Sequence, residues 1–561
     1  MTQSSVHGEG TRPGAVPRQR GADDGAGRDG DAEGPGGDGG RPGRGSGHGS
    51  RGGRRDTSRA GRGRRALRWS ATGLALLVLV TAGAGYLYYR HLNGNLQKGQ
   101  RSSGDSGAAR TGPNAAGQTP LNILLLGSDS RNSAANLELG GSRKSVGSKP
   151  LADVQMLVHL SADRKSASVV SIPRDTRVDI PRCTDPETGE TYPATTDIIN
   201  ASLGRGGAGC TLATWENLTG VYIDHWMMID FAGVVSMADA VGGVEVCVEH
   251  NVWDRPLPGV PGGSGLKLTA GTKKIKGEQA LQWLRTRHAF YSDLGRAKAQ
   301  HMYMNAMIRS LKEQNVFTDT GRLRDLAEAA TKSLTVSEEI GTVKKLFDLG
   351  MQLKTVPTDR ITMTTMPTTE YARNRNHLVP DGADAEKIWR MVRDDVPFDD
   401  KGGTSGTGGK AGGGKKASED SAAPDGEIGV LVQNGTRSAT AGPVPGRAEA
   451  VAGLLVAEGF ARAAKDTSAP LSQEQTLVRY PSADLEGDAQ RVAGALGIPL
   501  TSVRQSADVS GVTLVVGADW REGTAYPKQS APKAGDLPED ADAINGADTG
   551  QCMPVYRPYR W

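Results

Sequence analysis

Apolar residues fall into three short runs between positions 121 and 172, and each run ends in polar or charged residues. The first covers residues 121–127 and is almost continuously apolar, which is typical of a strand buried on both faces. The second covers residues 154–160, and the third covers residues 168–172 and is rich in β-branched residues. Pro173 follows and removes a backbone donor, so we predict that the third strand ends there.

Segments with helical spacing alternate with further strands as far as residue 393. Asp230 is placed to cap a helix that stops before Gly242 and Gly243. We predict helices at residues 211–218, 231–240 and 277–284, strands at 222–229 and 361–366, and three or four amphipathic helices over 315–393. The alternation predicts an α/β domain over residues 121–395, with a central mixed sheet flanked by helices.

A second, smaller α/β domain is predicted over residues 427–520, where short apolar runs alternate with amphipathic segments. Its predicted elements are strands at residues 428–432, 476–480 and 512–516 and helices at 447–458 and 485–496. This domain shows no constellation of catalytic residues.

Other segments are too poor in apolar residues to bury a core. Residues 1–68 are rich in Gly, Arg, Asp, Ser and Pro, so we predict that they are disordered. Similar composition predicts linkers over residues 90–120 and 396–426. The last residues, 521–561, are predicted to be a disordered tail with Cys552 and three aromatic residues at its tip.

Residues 69–89 carry no charge, and a helix of that length, about 30 Å, spans a bilayer. Arginines cluster before this segment, which predicts a cytoplasmic N-terminus and places everything after Arg90 outside. A cleaved signal peptide is the alternative, but the apolar span and the preceding tail are both too long for one. We therefore predict a single-pass membrane protein. The net charge of +4 is too small to indicate nucleic-acid binding.

Arg174 and Asp175 follow the third predicted strand directly. Ligands of open α/β sheets bind beyond strand ends, so this charged pair is a candidate site. The simpler interpretation is a surface turn with a solvated ion pair.

Two aspartates flank the first two predicted strands. Asp129 follows the first strand, and Asp153 opens the second. If these strands are antiparallel neighbours, both carboxylates meet at one edge, where a hard cation such as Mg²⁺ (or Mn²⁺) would relieve their repulsion. The alternative is that they are unrelated loop residues that cap turns.

Basic residues gather after the helix predicted at 277–284. If that helix frays at Leu284, Arg285 and Arg287 can face one target, while Arg296 and Gln300 share a face of the next helix. Asp293 is expected to cap that next helix. Guanidinium groups match phosphate oxygens, so this set suits a pyrophosphate. The alternative is a solvated basic helix face.

The four cysteines show no zinc-type spacing. Outside the membrane a disulfide is plausible, and a Cys183–Cys210 bond would close the polar loop between them. Four cysteines allow three full connectivities, so the sequence leaves the pairing open.

Several stretches together resemble the LytR–CpsA–Psr (LCP) family of bacterial cell-wall proteins. They are LLLGSDSR at 124–131, SIPRD at 171–175, LTGV at 218–221, DAVGGV at 239–244, GEQAL at 277–281, RTR at 285–287 and DLGR at 293–296. The segment VLVQNG at 430–435 looks like the LytR C-terminal domain that is often fused to it.

The resemblance implies a Mg²⁺-dependent phosphotransferase outside the membrane. Such enzymes move a glycopolymer from a polyprenyl-pyrophosphate carrier to peptidoglycan and form a phosphodiester bond. By resemblance, Asp129 and Asp153 would hold the metal, while Arg174, Arg285, Arg287, Arg296 and Gln300 would bind the pyrophosphate. Arg174, Asp175, Arg285 and Arg287 would be the catalytic residues, with Asp175 orienting Arg174.

Two positions depart from the family pattern. Leu151-Ala152 stand before Asp153 where the family usually has Arg or Lys and then Ser, and Ala299 stands before Gln300 where it usually has a basic residue. Fewer cations could weaken phosphate binding, so two other functions stay open: a non-catalytic polyprenyl-phosphate-binding regulator, and a polyprenyl-pyrophosphate pyrophosphatase.

Overall fold

The structure is a computed structural model. It describes residues 58–108, 110–114, 116–129, 134–139, 147–313, 319–401, 422–437, 441–471, 473, 475–506, 508–527 and 531–561. The disorder predicted for residues 1–57 and most of the linker predicted at 396–426 lie outside these residues.

The helices are α1 Ser58–Asn95, α2 Ala134–Glu138, α3 Leu203–Thr219, α4 Phe231–Ala240, α5 Glu278–Arg285, α6 Asp293–Glu313, α7 Thr320–Ser333, α8 Val343–Thr355, α9 Gly382–Arg393, α10 Arg447–Ala457 and α11 Glu486–Ala495. The strands up to residue 275 are β1 Gln97–Gly99, β2 Leu121–Ser128, β3 Ala152–Leu160, β4 Ala167–Ser171, β5 Arg177–Ile180, β6 Cys183–Thr184, β7 Thr191–Tyr192, β8 Thr195–Ile198, β9 His225–Ile229, β10 Val244–Val248, β11 Val252–Trp253, β12 Lys267–Leu268 and β13 Gly271–Ile275. The later strands are β14 Leu334–Ser337, β15 Ile361–Thr365, β16 Thr368–Tyr371, β17 Asn374–Pro380, β18 Gly429–Asn434, β19 Arg462–Lys465, β20 Leu477–Tyr480, β21 Val503–Gln505, β22 Thr513–Val516 and β23 Ile544–Asn545.

A mixed sheet lies at the centre of the first domain, as the sequence predicts. Among the described residues its strand order is β1-β14-β9-β2-β3-β4-β15-β23. The three strands predicted first, β2, β3 and β4, are antiparallel neighbours, whereas β9 runs parallel to β2 and β15 parallel to β4. Their apolar runs are central because both faces of the sheet are covered by other elements.

The largest apolar core of this domain lies on one face of the sheet. Leu124 and Leu157 are fully buried there beneath Trp215 of α3 and Trp389 of α9. The two indole rings meet edge to face at 5.9 Å. This packing fixes the register of the central strands, because a shift by one residue would turn their apolar side chains to the other face.

The smaller domain confirms the predicted α/β alternation. Its sheet has the order β19-β18-β22-β20-β21 within the described residues, and α10 and α11 supply apolar side chains to its core. The observed elements fall within two residues of the predicted ones. Strands β19 and β21 were not predicted, because they are short and partly polar.

Helix α1 includes the predicted membrane span. Among the described residues, only the segment Leu67–Asn95 is long and apolar enough to cross a membrane. The same helix begins at Ser58, so residues 58–68 are helical and not disordered.

The segment at 90–120 is more than a linker. Strand β1 pairs with β14, and the Arg101 side chain forms an ion pair with the buried Glu216. The composition of residues 90–120 gives no sign of this structure, because a few specific contacts hold the segment in place. A polar, Gly-rich segment can make such contacts without a core of its own.

The C-terminal segment corrects the prediction of a disordered tail. Residues 541–561, called the C-terminal strap from here on, pack against the first domain. Strand β23 adds to the sheet edge at β15, Cys552 is disulfide-bonded to Cys247, and Met553, Val555 and Tyr559 are buried. Five widely spaced buried apolar residues and one disulfide hold the segment in place, and neither feature has a signature in local composition.

Candidate active site

Arg174 lies in the turn that follows β4. The Thr176 amide donates to the Pro173 carbonyl at 3.0 Å, which turns the chain directly after the strand. The Arg174 guanidinium then reaches back to the start of β3, where Nη1 is 3.0 Å from Asp153, while Nε is 3.3 Å from Asp175. The charged pair singled out from the sequence therefore lies among other charged groups and is partly buried.

Asp129 and Asp153 lie at the same sheet edge, as expected for antiparallel neighbours. Ser128 is opposite Ala152, and a shift in register follows Gly127. The Asp129 carboxylate is buried and accepts a 2.8 Å hydrogen bond from the Leu151 amide. Leu151 stands where the family pattern has a basic residue. Its backbone amide holds Asp129, and this hydrogen bond does not depend on which side chain position 151 carries.

The two carboxylates are oxygen donors of the kind that Mg²⁺ takes from proteins. Among the described residues no cluster of three His, Cys, Asp or Glu side chains could hold a metal ion by itself. That is compatible with Mg²⁺, which is commonly bound by one or two carboxylates together with substrate phosphates and water. The residues fit such an ion, and its presence stays a prediction.

The arginines after α5 occupy different environments. Helix α5 continues to Arg285, so the predicted end at Leu284 is one residue early. The Arg285 side chain donates to the Leu139 carbonyl at 2.9 Å and lies 4.8 Å above the Phe231 ring. Arg287 lies in the following loop and is half-buried. Thr286 between them is extended, and a common target for Arg285 and Arg287 stays a prediction.

Arg296 and Gln300 are both buried on α6. Arg296 Nη2 is 2.7 Å from Asp293, and the Gln300 side-chain amide donates to the Leu284 carbonyl at 3.0 Å. Gln300 thereby ties the end of α5 to α6. This bond uses one N–H of the side-chain amide, and the role of Gln300 in binding the ligand stays a prediction.

Asp293 is a site residue that the sequence analysis treated only as a helix cap. It is the first residue of α6, and besides Arg296 its carboxylate lies 3.8 Å from Arg174 Nε. The i, i+3 spacing of Asp293 and Arg296 in DLGR was the sequence signal for their ion pair. The contact between Asp293 and Arg174 has no sequence signal, because it joins distant parts of the chain.

Charge and burial act together on the arginines. Burial lowers the pKa of Arg174, but Asp153, Asp175 and Asp293 outweigh it and the pKa is raised. The pKa of Arg296 is lowered, chiefly by burial, and Arg174 adds to the lowering while Asp293 opposes it. Arg296 is thus a desolvated cation whose charge an anionic ligand would stabilise further.

The second departure, Ala299, faces the core. Its side chain is fully buried in the cluster that contains Trp283 and Phe290, and its carbonyl accepts from Trp283 Nε1 at 2.9 Å. The neighbouring Lys298 pairs with Asp542 of the C-terminal strap at 2.9 Å. Position 299 is therefore an apolar packing position in this chain, and Lys298 is engaged elsewhere.

An apolar surface of the sheet lies opposite the large core. Leu125, Val154, Val158 and Met227 come from three neighbouring central strands and are only partly buried. They share one face, which continues to the edge that carries Asp153. Helices α6 and α8 cover this face only in part, so these side chains keep some exposed apolar surface that an apolar ligand could contact.

The cysteines form two disulfides. Cys183 is bonded to Cys210, which confirms the predicted closure of the polar loop, and Cys247 is bonded to Cys552. Both bonds fit a chain that folds in an oxidising compartment.

Comparisons with known proteins match both domains. A model of the LytR_cpsA_psr family matches residues 88–394, and a model described as LytR cell envelope-related transcriptional attenuator matches residues 427–520.

Among similar proteins, the cell wall biosynthesis protein LcpA of Corynebacterium glutamicum is 30% identical over 320 residues, which are 53% of this chain and 58% of LcpA. The Bacillus subtilis polyisoprenyl-teichoic acid–peptidoglycan teichoic acid transferase TagV is 25% identical over 327 residues, which are 58% of this chain and 77% of TagV. The crystal structure of B. subtilis TagV has a TM-score of 0.38 and 22% identity, and it covers 50% of this chain and 97% of TagV's resolved chain.

Proposed function

Because the chain belongs to the LytR–CpsA–Psr family, we propose that it is a membrane-anchored phosphotransferase that acts outside the cell. Its donor would be a glycopolymer on a polyprenyl pyrophosphate, and its acceptor would be peptidoglycan. The names of relatives such as TagV support this reaction class. The observation that carries the proposal is the set of Arg174, Arg296 and Asp293 beside two edge carboxylates.

In the proposed reaction, a sugar hydroxyl of peptidoglycan attacks the phosphorus that carries the glycopolymer. A new P–O bond forms, the bond from that phosphorus to the bridging oxygen breaks, and polyprenyl phosphate leaves with the electron pair. The hydroxyl proton passes to a carboxylate, for which Asp129 and Asp153 are the candidates. Phosphoryl transfer needs mainly positioning and charge stabilisation, so little covalent work falls to the protein.

The arginines would bind the pyrophosphate oxygens. Arg174 now pairs with Asp153, Asp175 and Asp293, so its side chain is oriented before the ligand arrives. Arg296 and Arg287 would add positive charge, and Arg285 would contribute from the far side if its contact with Leu139 opens. Mg²⁺ held by Asp129 and Asp153 would neutralise part of the pyrophosphate charge.

The prenyl chain would occupy the partly exposed apolar face of the sheet. Leu125 and Val158 lie on that face, and Met304 and Ile308 of α6 and Leu353 of α8 pack against the same cluster. A carrier lipid placed there would present its pyrophosphate to Arg174.

The test follows mass transfer with the full chain in lipid nanodiscs. We would supply Mg²⁺, a short polyprenyl-pyrophosphate glycan and peptidoglycan oligomers, and detect sugar phosphate on the oligomer by mass spectrometry. Arg174→Ala should lower the transfer rate by about 100-fold or more, as loss of one charge-stabilising donor does. Arg491→Ala is the matched control, because Arg491 forms an exposed ion pair with Asp425 in the smaller domain.

Three results would distinguish the functions. Sugar phosphate on the oligomer that is lost in Arg174→Ala and in EDTA supports the metal-assisted transferase. Free sugar phosphate with no linked product would identify the pyrophosphatase. Tight lipid binding without either product would leave the binding regulator.

A further inference from the structure

Exposed aromatic rings are concentrated on one surface of the first domain. In the described region after α1, five aromatic side chains are more than one-third exposed, and four of them form two pairs at the C-terminal strap. They are Trp253, Tyr291, Tyr556 and Trp561, with 39%, 56%, 45% and 51% of their surface exposed. We call these four residues the aromatic surface. Clustered exposed rings usually mark a binding site, since burial would otherwise be favourable.

The C-terminal strap brings the four rings together in two pairs. The Tyr291 and Tyr556 ring centroids are 5.1 Å apart, and the Tyr556 amide donates to the Ala289 carbonyl at 2.9 Å. In the second pair, Lys267 Nζ lies between two indoles, 4.8 Å from the Trp253 ring and 4.5 Å from the Trp561 ring.

The buried residues of the strap anchor it so that its exposed rings face solvent. Val555 and Tyr559 are buried, and Cys552 is bonded to Cys247, whereas Tyr556 and Trp561 between and after them are exposed. The Trp561 indole N–H donates to the Val252 carbonyl at 3.1 Å, which fixes the orientation of that ring. The strap therefore presents its rings in a defined geometry.

Tyr291 connects this surface to the candidate active site. It lies four residues after Arg287 and two before Asp293, whose carboxylate approaches Arg174 to 3.8 Å. Two steps along the chain span at most about 7.6 Å between Cα atoms, so the backbone of Tyr291 lies close to that of Asp293.

The backbone of Tyr291 is strained. Its φ is +72°, a conformation that is unfavourable for a bulky residue. Burial of the ring does not compensate, because more than half of the ring is exposed. Strained residues in such positions concentrate at ligand-binding sites.

We propose that the aromatic surface binds a saccharide chain, namely the glycan strand of the peptidoglycan acceptor. The negative face of an aromatic ring attracts the weakly positive C–H groups of a pyranose, and the Tyr556 hydroxyl suits its hydroxyls. Lys267 and Arg255, which lies 4.8 Å from the Trp253 ring, complement the carboxylates of peptidoglycan. The identity of the strand as acceptor rests on the proposed function.

Two of the four residues of this surface lie outside both family matches. Tyr556 and Trp561 lie after residue 520, where the second family match ends. The strap thus extends the acceptor side of the site with residues that neither matched domain supplies.

The test measures glycan binding without any transfer reaction. The full chain in detergent micelles would be titrated with soluble, uncrosslinked peptidoglycan glycan strands. Tyr556→Ala and Trp561→Ala should each weaken binding by about 3- to 10-fold, the loss typical of one aromatic contact. Phe347→Ala, the exposed aromatic outside this surface, should bind like the wild type. Thermal unfolding of each variant would establish that the strap remains folded.

Two further probes separate the glycan from other ligands. Arg174→Ala should retain glycan-strand binding, because it removes a phosphate contact and not a ring. Polyphosphate and anionic lipid vesicles should bind Tyr556→Ala and Trp561→Ala as they bind the wild type. The proposal is overturned if the wild type does not bind the strands, if the ring variants bind them normally, or if the ring variants lose vesicle binding instead.

These outcomes are independent of the transferase proposal. A chain that binds strands through the four rings but never transfers sugar phosphate supports this inference and overturns the proposed function. A chain that transfers sugar phosphate, but whose ring variants bind strands normally, supports the proposed function and overturns this inference.

Discussion

The Nε atom of Arg174 lies 3.8 Å from the carboxylate of Asp293. One residue follows a central strand, and the other begins α6, so this contact joins the sheet edge to the helix that carries Arg296. Asp293 also pairs with Arg296 at 2.7 Å. One carboxylate therefore aligns two guanidinium groups toward a common region, which is the arrangement that a pyrophosphate requires.

Asp293→Asn should show whether Asp293 orients the two arginines or contributes to binding of the lipid donor. The amide keeps the shape of the side chain but loses the charge that aligns Arg174 and Arg296. We expect kcat for transfer to fall about tenfold, a loss near 1.4 kcal/mol, while KM for the lipid donor does not rise, since the site becomes more positive. Steady-state kinetics would check this. A raised KM with unchanged kcat would contradict the orienting role.

Gly295→Ala should displace the loop that carries Arg287. A Cβ atom at Gly295 would lie 1.8 Å from the Phe290 carbonyl oxygen, so the loop or the start of α6 must move. We expect a loss of about 1–3 kcal/mol in the free energy of unfolding, as for other overpacked positions, together with lower transfer activity. Denaturant unfolding measures the first effect.

Gly453→Ala is the matched control for Gly295→Ala. Gly453 lies within α10, and a Cβ atom there meets nothing within 4 Å. This variant should be more stable by about 0.5–1 kcal/mol, because alanine favours the helix over glycine. A Gly295→Ala protein as stable as the wild type would contradict the close approach.

Removing the Cys247–Cys552 bond should loosen the C-terminal strap. The double variant Cys247→Ser, Cys552→Ser removes a disulfide that joins residues 305 positions apart in the chain. We expect the free energy of unfolding to fall by about 2–5 kcal/mol. Limited proteolysis should then cut within residues 541–561 before the rest of the chain. The double variant of Cys183 and Cys210 should leave the strap protected. Equal protection in both double variants would contradict the anchoring role.

His301 should make the domain acid-sensitive. It is buried on α6, and burial lowers its pKa to about 4 although Asp542 acts in the opposite direction. The folded state therefore favours the neutral ring, so stability is full above pH 6.5 and declines as the pH falls towards 4. The shift corresponds to about 3 kcal/mol.

The control for this pH effect is His301→Gln, which cannot titrate in that range. Thermal unfolding between pH 7 and pH 4 should show a larger loss for the wild type than for His301→Gln. Parallel pH profiles would contradict the prediction.

The sequence by itself determined the elements and their main chemistry. Largely apolar runs specified β2, β3 and β4, because strands buried on both faces need apolar side chains at most positions. Pro173, the Asp230 cap and the αL glycine Gly220 after α3 act within a few residues, so their effects could be read locally. The edge position of Asp129 and Asp153 followed once antiparallel pairing was assumed.

Only the tertiary structure decided which charged groups meet and what the C-terminus does. The contacts of Arg174 with Asp293, of Arg285 with Leu139 and of Cys247 with Cys552 join residues far apart in the chain. Such contacts depend on the relative placement of packed elements, and no local pattern encodes that placement. For the same reason the strap looked disordered by composition, although a disulfide and a few buried side chains hold it against the first domain.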